Sequence, residues 1–195
     1  MTELLQRRPI MVALAGPNGA GKSSFYSTYL KQSGLPFINS DQISLQTGVD
    51  AYRAAELADE IRRALVEQQE SFIFETVFSD PVGAKLQFLK ETEAKGYSVV
   101  LVFIGIDGPQ ICEARVAMRV SKGGHDVPAN KIAERYSRTM KNLQRAFLEI
   151  GNIRVYENSD LDRPYRLVAS KDAGREVEVH PPTPGWLKRL LPSRR

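Results

Sequence analysis

Apolar positions along this chain follow two rhythms. Short unbroken apolar runs, the mark of strands buried on both faces, occur at Met11–Ala15, Leu35–Asn39, Ser71–Glu75, Tyr97–Ile106 and Ile153–Tyr156. Between them, apolar residues recur every three or four positions and predict amphipathic helices. Tyr52–Gln69 carries Ala54, Leu57, Ala58, Ile61, Ala64 and Leu65 on one face, and about Pro128–Ile150 carries Ile132, Tyr136, Met140, Leu143, Phe147 and Ile150. Further helices are expected over Ser24–Gln32 with Gly34 as a stop, from Pro81 to about Lys95 with Gly96 as a cap, and over about Pro109–Val120. Tyr165–Ala169 and Glu176–Val179 flank the turn-forming Lys171-Asp172-Ala173-Gly174 and read as a hairpin. Strands alternating with helices imply a parallel sheet with right-handed crossovers. The expected fold class is therefore α/β: three layers, a central five-stranded mainly parallel sheet with Tyr97–Ile106 near its middle, and a C-terminal β-hairpin.

The first strand breaks abruptly into Gly16-Pro17-Asn18-Gly19-Ala20-Gly21-Lys22-Ser23-Ser24. This fills G-x-x-x-x-G-K-[ST] between a strand and a helix, the context that makes the pattern a nucleotide-binding P-loop. Its glycines allow the close backbone approach that points successive N–H groups and the helix N-terminus at phosphate oxygens. Lys22 is expected on the β- and γ-phosphates, and the Ser23 hydroxyl on Mg²⁺. The fold becomes a P-loop NTPase of the nucleotide-kinase kind, with ATP and Mg²⁺ as cofactors and GTP left open as the nucleotide.

Phosphoryl transfer also needs a group to orient or deprotonate the acceptor hydroxyl, and positive charge on the group in transit. Asp41 follows the second strand, on the sheet edge where open α/β folds bind ligands, and is a candidate base; the alternative is a helix cap or Asx-turn among Asn39, Ser40 and Asp41. Glu75 ends the third strand, where it could reach Mg²⁺ through water or bind substrate, or be a plain strand-end carboxylate. Asp107, after the fourth strand, is its rival. Arg119, Arg135 and Arg138 lie on the two helices around Gly123-Gly124, an arrangement suited to a mobile lid over about residues 115–145; a solvated charged face is the other reading. His125 within that lid is a candidate substrate contact or a surface histidine.

Composition narrows the picture. The chain has 195 residues and a net charge of +4. Lys188, Arg189, Arg194 and Arg195 lie in a Pro-rich segment without acids, and removing those four from the 27 Lys and Arg leaves the body balanced against its 23 Asp and Glu. A basic groove for nucleic acid is not expected. Organisation as one domain over residues 1–179 with a basic tail over 180–195 follows, the tail loosely ordered unless Trp186, Leu187, Leu190 and Leu191 dock on the body. The longest apolar stretch, Val99–Ile106, falls far short of the ~20 residues that cross a bilayer. Arg7-Arg8 followed by Ile10–Ala15 imitates a short signal peptide, but cleavage after Ala15 would remove the strand that presents the P-loop. The single Cys112 excludes an internal disulfide and fits a cytoplasmic protein.

The motifs GPNGAGKSS (16–24), FINSD (37–41), FETVFS (74–79), GGHDVP (123–128) and KIAERYSRTMKNL (131–143) resemble the zeta toxin-like P-loop kinases in their shorter form. That resemblance implies phosphorylation of the 3′-hydroxyl of the amino sugar in UDP-N-acetylglucosamine, a UDP-sugar as small-molecule substrate, and room for an antitoxin protein as partner. It matches Asp41 to the catalytic base, Glu75, with Thr76 beside it, to the substrate side, and Arg119 and Arg135 to the phosphate-neutralising arginines. The chain departs from the family at Thr76-Val77-Phe78-Ser79, where zeta toxins carry an arginine-containing substrate loop. The rivals are a kinase for another metabolite or nucleotide, and a nucleotide-dependent binding switch. No LSGGQ-like signature of a transport ATPase and no N-K-x-D of a GTPase occurs.

Overall fold

The strand β1 (Ile10–Ala15) is the hub of the sheet, and all six of its side chains are fully buried, as an unbroken apolar run requires of a strand covered on both faces. The computed structural model describes residues 6–121, 123 and 127–191. β1 pairs in parallel with β3 (Phe72–Thr76) on one side and with β4 (Ser98–Gly105) on the other. β2 (Phe37–Ile38) lies parallel beyond β3, and β5 (Asn152–Glu157) parallel beyond β4. The sheet then continues, with seven strands and not the expected five. β6 (Arg166–Lys171) and β7 (Glu178–Val179) do form the C-terminal hairpin, but β6 also pairs antiparallel with β5. Burial explains the difference: Val168 and Ala169 are fully buried in the same cluster as Ile153 and Val155, so the hairpin extends the core and covers what would be an open strand edge. The order is β2-β3-β1-β4-β5-β6-β7, and β4 is central, as its composition predicts.

Helices cover both faces, because successive strand residues point to opposite sides. Met11, Ala13, Phe74, Leu101 and Phe103 pack with residues of α3 (Ala51–Glu67), α4 (Ala84–Ala94) and α6 (Ala129–Glu149). Val12, Leu14, Ile73, Val102 and Ile104 pack with Phe25, Leu30, Cys112 and Val116 of α1 and α5. Here α1 (Lys22–Phe25) runs on through a π-helical turn (Tyr26–Leu30) and a 3-10 turn (Lys31–Ser33) to Gly34 at φ 69°, and α5 is Pro109–Val120. The fold is the three-layer P-loop α/β architecture read from the sequence.

One helix, one helix start and the C-terminal segment differ from the sequence reading, each for a local reason. α2 (Ser40–Thr47) replaces the expected turn after β2; it buries none of its residues, so no apolar period announces it. Asn39 caps it, its Oδ1 accepting from the Asp41 and Gln42 amides at 2.8 and 3.2 Å. α4 starts at Ala84 and not at Pro81, because Gly83 sits in front of it at φ 80° and an Asp80 carboxylate oxygen takes the Ala84 N–H. The C-terminal segment docks: α7 (Gly185–Lys188) buries Trp186 and Leu187 against the body.

Candidate nucleotide and acceptor site

The P-loop conformation is built from contacts that only glycine permits. Gly16 has φ 145°, and a Cβ there would stand 2.3 Å from the Ile104 carbonyl oxygen. Gly21, at φ 90°, caps α1, and a Cβ there would meet the Asn158 amide nitrogen at 2.7 Å and the Tyr165 hydroxyl at 2.8 Å. Lys22 opens α1 and is 6% exposed. Its Nζ donates to Gly16 O at 3.0 Å and Pro17 O at 3.1 Å and lies 3.7 Å from Glu75 Oε1. Burial pushes its pKa down, while the Glu75 and Asp41 carboxylates act to raise it and Arg119 lowers it further. A desolvated ammonium at the end of a glycine loop is held most favourably when an anion joins it.

Three elements meet at Glu75. Its Oε2 accepts from the Ser23 hydroxyl at 3.0 Å and from the buried Asn39 amide at 2.9 Å. Asn39 therefore does two things: its oxygen caps α2 and places Asp41 in the first turn, the cap that the sequence reading held as an alternative, while its nitrogen orients Glu75, which sequence reasoning missed. The only sequence signal was its position between a strand and Ser40-Asp41, which any turn-forming residue shares.

Glu75 and Asn39 face a cavity of about 480 Å³, within the range of small-molecule sites. Asn18, Asn39, Asp41, Glu75 and Thr76 line its P-loop and sheet side; Ala51, Tyr52 and Ala55 of α3 form another wall; Arg119, Lys131 and Arg135 bring positive charge across from α5 and α6. The structure thus brings Asp41, Glu75, Thr76, Arg119 and Arg135 together, and adds Lys131 and Tyr52, which the sequence reading did not select. Asn18 Oδ1 is buried at this wall without a hydrogen-bond partner, an unmet group of the kind a ligand satisfies. Arg138 is not among the lining residues. Its Nε donates to Ser79 O at 2.8 Å and its Nη1 to Glu134, so it holds the loop after β3. Thr139 Oγ1 donates to Val77 O, and Asn142 Nδ2 to Phe78 O and Asp80 O. These bonds keep the buried Phe78 at φ 61°, a conformation that persists only where its surroundings impose it. His125 lies outside the described residues. Asp107 is not among the lining residues either; its carboxylate lies 3.7 Å from Arg189 Nη2.

The residues fit nucleotide and metal on two observations. The glycine cradle ends in a buried lysine whose partners in the protein are carbonyl oxygens and Glu75. Among the described residues no group of three or more His, Cys, Asp or Glu side chains could cage a metal, whereas the hydroxyl and carboxylate pair of Ser23 and Glu75 suits Mg²⁺, which keeps waters and takes phosphate oxygens as further ligands. No described helix is long and apolar enough to cross a membrane.

The zeta toxin family matches this chain over residues 38–170, more than half its length. An uncharacterized protein of Haemophilus influenzae is 31% identical over 127 residues, covering 62% of this chain and 88% of that protein. Among solved structures, a chain of the AvrRxo1-ORF1:-ORF2 complex with ATP superposes with a TM-score of 0.68 at 20% identity, covering 91% of this chain. The present chain spans 63% of that protein's length. The PezAT chromosomal toxin-antitoxin system of Streptococcus pneumoniae gives a TM-score of 0.63 at 17% identity, over 84% of this chain and 72% of that one. At such identities the two structures speak for the fold alone.

Proposed function

Because this chain belongs to the zeta toxin family, we propose that it is an ATP-dependent kinase that transfers the γ-phosphoryl group to a hydroxyl of a small molecule. The observation that carries the reading is that Asp41, Glu75, Arg119 and Arg135 line one cavity beside the P-loop, with Glu75 also in contact with Lys22 and Ser23. In this reading the acceptor oxygen attacks the γ-phosphorus as the bond to the β,γ-bridging oxygen breaks. The acceptor's proton passes to Asp41 and ADP leaves. Lys22 and the P-loop amides hold the phosphates in line, and Arg119 and Arg135 balance charge on the group in transit. Ser23, with Glu75, would hold Mg²⁺, which neutralises charge on the β- and γ-phosphate oxygens.

For the acceptor we propose the 3′-hydroxyl of the amino sugar of UDP-N-acetylglucosamine, on family membership and on a cavity large enough for a sugar nucleotide, with an antitoxin as partner on the same ground. A different acceptor is favoured by one observation: Thr76–Ser79 carries no arginine, and its backbone is bound to α6 through Arg138, Thr139 and Asn142. Incubating the protein with ATP, Mg²⁺ and a panel of UDP-sugars, nucleosides and simple sugars, and reading products by mass, tests both. The expected result is UDP-N-acetylglucosamine heavier by one phosphate. Phosphorylation of another panel member keeps the kinase and replaces the substrate; ATP binding with no product from any acceptor favours a nucleotide-dependent switch.

A further inference from the structure

The connection between β5 and β6 reaches the back of the P-loop. Asn158 is 4% exposed; its Nδ2 donates to Ala20 O at 2.8 Å, and its Oδ1 accepts from Tyr165 N at 3.3 Å. The Tyr165 hydroxyl donates to Gly21 O at 2.9 Å, with its ring edge-on to Phe25 at 5.2 Å. In a planar trans peptide the carbonyl and the following N–H point in opposite directions. Holding Ala20 O and Gly21 O at the back therefore aims the N–H groups of Gly21 and Lys22 forward, into the phosphate cradle.

The same connection is tied to the C-terminal segment. Trp186 is 2% exposed and fills the space over Gly105, where a Cβ would stand 2.2 Å from its ring. Its indole N–H donates to Glu157 Oε2, and Glu157 Oε1 accepts from Ser159 N at 2.6 Å. Ser159 O in turn accepts from Arg115 at 3.0 Å. The route from α7 to the P-loop runs through residues 157–159 without a gap.

We propose that Asn158 and Tyr165 are positioning residues of the phosphate cradle, and that the C-terminal helix fixes them through the bond from Trp186 to Glu157. The inference rests on the nucleotide-binding half of the reading above and is independent of which acceptor is phosphorylated. Titration of the full chain with MgATP and with inorganic tripolyphosphate, by calorimetry, tests it. Tyr165→Phe removes one hydroxyl and keeps the ring; the loss of a single hydrogen bond corresponds to about three- to tenfold weaker binding of both ligands. Asn158→Ser, a second route to the same loss, should weaken both in the same way. Trp186→Phe, which deletes the N–H together with part of the ring over Gly105, should weaken both by about twofold or more, whereas Leu187→Ala, the packing control, should lower Tm with ATP affinity within about twofold of wild type. Unchanged ATP affinity in Tyr165→Phe and Asn158→Ser, with Tm lowered, would overturn the proposal in favour of plain packing. Weakened ATP with tripolyphosphate unaffected would overturn it as well, since the contact would then act on base or ribose. A wild-type protein that binds no ATP would overturn the kinase reading and this inference together.

Discussion

In the proposed kinase, nucleotide binding depends on Lys22, whose environment makes a signed pH statement. Burial lowers the pKa of its ammonium below the ordinary 10.5, against the pull of Glu75 and Asp41. A bound triphosphate raises it again, since an adjacent anion favours the charged form. Binding is then strongest where Lys22 is charged in the free protein, and weakens as pH rises through the lowered value towards the raised one. ATP affinity, titrated by calorimetry across alkaline pH where ATP itself is fully ionised, should begin to fall below pH 10.5. Lys22→Met should bind ATP at least tenfold more weakly throughout and show no such slope; an equally steep slope in that variant would assign the titration to another group. The P-loop residues were legible in the sequence because their motif is contiguous. Asn39 was not, because what sets it apart is a bond from its side chain to Glu75, 36 residues away.

At the scale of elements, the doubly buried strands were legible and the polar helix was not. β1 and β4 are apolar without interruption because helices cover both faces, whereas α2 buries nothing and is defined by its cap. That cap is separable from its second role. Asn39→Ala removes both the acceptor for the α2 amides and the donor to Glu75, and should cost about 1 kcal/mol of stability together with a fall in kcat. Asn39→Ser keeps a capping oxygen but removes the amide that donates to Glu75. It should hold the thermal midpoint near wild type while kcat falls, measured by calorimetry and by phosphate transfer in parallel. Equal loss of stability in the two variants would show that capping is not what Asn39 contributes. The expected lid sits in the same category of partial legibility: Arg119 and Arg135 reach the cavity from α5 and α6, whereas Arg138, on the same helical spacing, turns to Ser79. A charge stripe at helical period does not say which of its members faces a ligand.

On the scale of the whole molecule, the sheet is longer and the C-terminal segment better held than the chain's pattern implied. The two fully buried residues of β6 are too short a run to announce a core strand, and Trp186 is docked by Gly105 and Glu157, contacts far apart in sequence. Gly105→Ala forces a methyl into the indole; overpacking of this kind costs about 1–3 kcal/mol, a Tm fall of about 2–10 °C for a chain of this size, readable by scanning calorimetry. In a Trp186→Ala background the same added methyl should cost less than it does in wild type, since the clash is then gone. In the proposed function, P-loop, cavity and arginines are united by phosphate transfer to a hydroxyl, and the base is the group on which that proposal stands most exposed. Single-turnover transfer from γ-labelled ATP to the acceptor, in wild type and in Asp41→Asn, tests it most directly. The expected result is transfer slowed by about 10² to 10⁴ with ATP affinity within about twofold of wild type; an Asp41→Asn protein that transfers phosphate at the wild-type rate would contradict it.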